Sequence, residues 1–195
     1  MSAGAIDRPS QASRLAFAAG GVFWLMVAVT LASAFLRLAE EAAVGGLAVD
    51  LARGLHRIAA TAALLLAIAV AALGWDRFRP LAASRAAAAA LVALGIALAL
   101  LGRFTPSTHP FVAFGNPLGG LAMTALAWWV WRASAPRTAH RGPAAAGWLL
   151  LAAGFGVVAA IVQWPPGLGL GLALQLLATA AVAIGASTLH RSALR

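Results

Sequence analysis

Two places in this chain carry side chains able to do chemistry, and both stand out from a background of apolar filler. The first is Leu55-His56-Arg57. A neutral imidazole can ligate a haem iron, or it can donate to a loop carbonyl at the membrane interface. An ionisable side chain in an apolar segment is by default a functional candidate. Arg57 offers a planar, bidentate fork that fits a carboxylate such as a haem propionate, and it equally suits a snorkelling residue at a helix end. The second place is the run 103–120, which holds Arg103, His109, Asn116, three prolines and three glycines. His109 could join His56 or lie solvated in a loop. Asn116 followed by Pro117 predicts a helix start, with Asn as cap and Pro in the first helical position. Gly115 and Gly119, four residues apart, permit close helix approach.

The elements that must position these residues are membrane spans. The chain has 195 residues, of which 63% are hydrophobic and 10% charged, with a mean hydropathy of +0.91. A soluble domain could not bury that much apolar surface, so the composition predicts an integral membrane protein. The absence of cysteine excludes disulfides, thiolate metal sites, iron–sulfur clusters and thioether haem attachment. All 14 basic residues are arginine, and the net charge is +9. Because they flank apolar segments, they predict orientation in a bilayer and not nucleic-acid binding.

Residues 1–13 read as a disordered cytoplasmic N-terminus, too weakly charged for a signal peptide. A first span covers 15–36, and 38–52 reads as an interfacial loop or short amphipathic helix. The second span begins at His56 and ends near Trp75; the third covers 86–102. The run 103–120 supplies a loop, and the fourth span starts at Pro117 and closes on Trp128-Trp129-Val130-Trp131-Arg132, an aromatic belt. Residues 133–144 form a cytoplasmic linker. Trp164-Pro165-Pro166-Gly167 divides the last apolar stretch into a fifth and a sixth span. The units are thus a four-helix bundle at 14–132, a helix pair at 145–190 and a cytoplasmic tail at 191–195. Ten arginines fall at the termini and even-numbered connections, against four (Arg37, Arg53, Arg57, Arg103) on the other side. That asymmetry puts both termini in the cytoplasm and both candidate places on the outer face.

Down the second span, His56, Ala60, Ala63, Ala67 and Gly74 share one face of small residues. Such a face admits another helix closely or leaves room for a flat ligand such as haem. Glu40, Glu41 and Asp50 partly neutralise the outer arginines. His140 and His190 read as surface residues, and Gln163 and Gln175 as interhelical hydrogen-bonding groups.

The order of features resembles the haem A synthase family. Ala34-Phe-Leu-Arg37-Leu is similar to that family's small-x-x-Arg-Leu close of the first helix. Leu55-His56-Arg57 is similar to its His-Arg at the second. Pro110-Phe-Val112-Ala-Phe-Gly-Asn116-Pro-Leu118-Gly119-Gly120 is similar to its Pro-x-Val-Val-x-x-His-Leu-Leu-Gly-Gly pattern. The resemblance covers about residues 15–132. Together with the six apolar segments, it implies an all-α, polytopic membrane bundle of six transmembrane helices: one haem A synthase-like four-helix half plus two further spans. It also implies a haem of b or o/a type, with His56 as iron ligand, His109 as a second candidate, and Arg57, Arg103 and Asn116 lining the site. The expected setting is a bacterial-type inner membrane, and the expected partners are the lipid bilayer and cytochrome oxidase or its assembly factors. The expected role is haem A biosynthesis or oxidase biogenesis, with oxidoreductase chemistry if the chain is an enzyme. Several positions differ from the family pattern. Asn116 stands where the family has histidine, Arg53 stands where it has a carboxylate, and only two spans follow the first half. A non-catalytic membrane subunit or assembly factor that has lost haem is the alternative.

Overall fold

The computed structural model describes residues 11–78, 82–104, 110–134 and 144–192. Six α-helices account for nearly all of them: α1 (Gln11–Glu41), α2 (Leu47–Gly74), α3 (Ala82–Leu101), α4 (Pro110–Ser134), α5 (Ala144–Gln163) and α6 (Leu168–Ser192). A short 3-10 turn, Gly102–Phe104, follows α3. Alanine and leucine dominate these segments, and both are strong helix formers. All six helices are long and apolar enough to cross a membrane. Large apolar side chains point outward, including Phe17, Leu65, Trp148 and Leu177. In a bilayer that surface meets lipid tails, so its exposure carries no penalty.

Helices α1 to α4 form an antiparallel ring. α1 packs against α2 and α4, and α3 packs against the same two, so α2 and α4 occupy one diagonal. α5 and α6 pair with each other and lean on α1 and α4. Two ends follow from this topology. The proximal end carries the start of α1 and the α2–α3 connection. The distal end carries the α1–α2, α3–α4 and α5–α6 connections.

Several boundaries differ from the sequence reading. The stretch 38–52 is neither a loop nor a separate helix. α1 runs through it to Glu41, a tight turn follows, and α2 begins at Leu47. Gly46, at φ 97°, makes that turn with a left-handed backbone that glycine adopts freely. The acids are compatible with helix here: Asp50 sits in the first turn of α2, where the helix dipole favours negative charge. The second expected helix start is also displaced. α4 begins at Pro110, so Asn116 is not a cap and Pro117 lies in the helix interior. Both prolines satisfy the local pattern; the earlier one takes the first helical position, where its missing N–H is harmless. Pro117 removes one intrahelical bond, a loss that membrane helices accommodate. Residues 110–120 are therefore helix, not loop.

The main core lies in the proximal half of the ring. Val22, Phe23 and Met26 of α1 meet Ala63, Ala67 and Val70 of α2, Ala88 and Leu91 of α3, and Met123, Ala127 and Val130 of α4. Phe78, 1% exposed, folds back so that its ring covers Gly74. The expected aromatic belt is partly absorbed into this core. Trp128 and Trp131 pack on Phe23 with ring centroids 4.8 and 5.5 Å away. α5 and α6 are joined through glycines: a Cβ on Gly154 would lie 2.8 Å from the Ala178 carbonyl oxygen, and one on Gly185 would lie 2.8 Å from that of Gly147.

Candidate functional site

The small-residue face of α2 points into the ring, as its spacing requires. Ala63 and Ala67 are each 1% exposed and Gly74 is buried. Along this part of the face the small residues serve close helix contact. His56 and Ala60, at the distal end of the same stripe, are only half-buried. His56 is not at the start of its helix. It lies in the third turn of α2, nine residues beyond Leu47.

Toward the distal end, burial thins on two of the four helices. Between Val49 and Ala63 no residue of α2 is buried, and beyond Gly95 none of α3 is. The α3–α4 seam stays shut at this level: a Cβ on Gly119 would meet Leu98, and one on Gly115 would lie 2.8 Å from Leu101. The α1–α4 seam is shut as well, by Thr30, which donates to the Gly120 carbonyl at 3.3 Å. The less buried flank at this level is thus that of α2.

A common plane fixes the heights of the candidates. A Cβ on Gly95 would lie 2.9 Å from Leu64 Cδ1 and 3.2 Å from Met123 Cε, so α2, α3 and α4 meet there. His56 precedes Leu64 by eight residues, and Asn116 precedes Met123 by seven. At the helical rise, both lie about 10–12 Å distal to that plane. His56 and Asn116 therefore sit at one height on the two diagonal helices. Asn116 is half-buried in the second turn of α4.

The four distal arginines divide. Arg53 pairs with Asp50 at 3.1 Å on the exposed face of α2. Arg57 is exposed and its backbone carbonyl accepts from Thr61 Oγ1 at 2.9 Å. Arg103 is exposed at the end of α3. Arg37 behaves differently, because α1 continues a full turn beyond it. Its Nη1 donates to Glu41 Oε1 at 3.2 Å and to the Ile161 carbonyl at 3.3 Å, joining α1 to the last turn of α5. His109 and His140 lie outside the described residues. Among the described residues no group of three or more histidine, aspartate or glutamate side chains could hold a metal ion.

Two residues carry more weight than their sequence context suggested. Arg37 looked like the close of a span and is instead tucked between helices. Gln175, expected to hydrogen-bond across helices, is 1% exposed, and neither side-chain atom of its amide has a partner. Gln163, the other expected interhelical residue, is exposed at the end of α5. A lone amide in an apolar span was the visible signal at Gln175. Nothing in the sequence said that it would lack a partner. No protein-family model, no curated protein and no solved structure matches this chain.

Proposed function

We propose that this chain is a haem-binding integral membrane protein of the haem A synthase type, acting in haem A biosynthesis or cytochrome oxidase biogenesis. One observation carries the reading. His56 stands half-buried on the less covered distal part of α2, level with Asn116 on the diagonal helix. The residues fit a haem held by one protein ligand. His56 provides the imidazole, Asn116 provides an amide that is a poor iron ligand, and the exposed guanidinium of Arg57 is suited to a propionate. The chemistry a haem would supply is oxidative. The chain's own part is to bind and orient it. The arginine asymmetry supports a site on the outer face of the membrane and both termini in the cytoplasm.

The visible spectrum of protein purified from haem-replete cells tests this. A Soret band that His56→Ala abolishes supports the assignment, and a pyridine haemochrome distinguishes haem b, o and a. Colourless wild-type protein sinks it. It would then favour the second reading, a non-catalytic subunit or assembly factor of a respiratory complex. Asn116, standing where a second imidazole would complete the diagonal, is the observation on that side.

A further inference from the structure

At the distal end, α1, α5 and α6 meet around a charge that the bundle satisfies only in part. The Arg37 side chain is 21% exposed. Its Nη1 is engaged by Glu41 and by the Ile161 carbonyl, but its Nε and Nη2 are buried without an acceptor. Those two nitrogens form the side-on face of the guanidinium, whose parallel N–H bonds span two oxygens of one oxyanion. A guanidinium cannot shed its proton to escape burial, so this face calls for an anion.

Gln175 belongs to the same junction and is the second unpartnered group in it. Gly171, one turn nearer the start of α6, packs beneath Leu38, the residue after Arg37. A Cβ on Gly171 would lie 2.9 Å from Leu38 Cδ2. From that contact Gln175 lies about 6 Å inward along α6, and Arg37 about 1.5 Å inward along α1. The Gln175 backbone is therefore roughly 4–5 Å deeper in the bundle than the Arg37 backbone. A ligand reaching both groups is an oxyanion at the level of Arg37, with a further polar atom on its membrane side.

We propose that the α1/α5/α6 junction binds a phosphate group, with the Nε–Nη2 face of Arg37 holding two phosphate oxygens and the Gln175 amide donating to a deeper oxygen of the same molecule. A phospholipid has this layout, its ester carbonyls lying inward of its phosphate. A soluble phosphate would engage Arg37 alone. The partly exposed Arg37–Glu41 edge is the way in. The site is independent of His56 and of the haem reading.

Native mass spectrometry of the full chain in detergent tests it, with phosphatidylglycerol, phosphatidylcholine and inorganic phosphate added separately. Arg37→Lys keeps the charge and loses the fork; lipid retention falls about tenfold. Gln175→Leu removes the amide, weakens lipid retention, and raises the melting temperature in lipid-free detergent because a buried unpaired group is gone. That variant keeps the test valid if Arg37→Lys misfolds. Retained phospholipid in the wild type assigns the lipid source. Thermal protection by inorganic phosphate that Arg37→Lys abolishes, without retained lipid, assigns a soluble one. Lipid retention and phosphate protection unchanged in both variants overturn the proposal.

Discussion

Thr30 of α1 and Thr124 of α4 bring their hydroxyls to 3.3 Å of each other, and both donate to the same carbonyl, that of Gly120. Both side chains are buried, 3% and 0% exposed. The pair therefore sets where α1 and α4 touch, which in turn sets the height of the Asn116 turn relative to the rest of the ring. Gly120 makes this approach possible: a Cβ there would lie 3.3 Å from Thr30 Oγ1.

Thr30→Val and Thr124→Val should each destabilise only slightly, because the remaining hydroxyl still covers the Gly120 carbonyl. The double variant should lose more than the sum, with a coupling of about 0.6 kcal/mol, typical of hydrogen bonds inside membrane bundles. Reversible unfolding in mixed detergent micelles measures the cycle. Strict additivity would show that the shared carbonyl does not couple them.

Asn116→His restores an imidazole on α4 at the height of His56. If haem binds at His56, this variant should shift the spectrum from that of a single protein ligand toward that of a low-spin, bis-imidazole haem. An unchanged spectrum in haem-loaded protein would mean that the diagonal at this height is not where haem sits.

Gly154→Leu should part α5 from α6. The new side chain runs into the Ala178 carbonyl and the Val182 side chain. Overpacking of this kind costs about 1–3 kcal/mol. The expected readouts are a lower melting temperature and a lower yield of folded protein. Gly156→Leu is the control, since nothing lies within 4 Å of a Cβ there; it should behave like the parent.

Asp50→Asn should leave stability almost unchanged, by less than about 0.5 kcal/mol, because the Asp50–Arg53 pair is well exposed and solvent-screened. A melting curve in high and low salt checks this. A large loss would mean that the α1–α2 turn depends on the pair.

Because the native chain lacks cysteine, single substitutions can map its orientation. Gly45→Cys in the α1–α2 turn and Gly167→Cys between α5 and α6 should react with a membrane-impermeant maleimide added outside intact cells. Asp76→Cys, after α2, should react only after lysis. The opposite pattern would reverse the orientation that the arginine count favours.

The sequence alone determined that six apolar helices exist, because runs of about twenty uncharged residues admit no other structure in lipid. It also located the break at Trp164-Pro165-Pro166-Gly167, since prolines and glycine there end one helix before the next begins. The small-residue face below His56 was legible for the same reason: helical spacing is a local property. Tertiary structure decided the rest. It chose Pro110 over Pro117 as the start of α4, because both are locally acceptable and only packing against α1 and α3 ranks them. It carried α1 past Arg37, which turned a presumed interface residue into a half-buried one held between α1 and α5. It left Gln175 without a partner, because whether an amide finds one depends on neighbours far away in sequence. It put α2 and α4 on the diagonal, and so set His56 and Asn116 at one height. That relation comes from how four helices close into a ring, and no single segment encodes it.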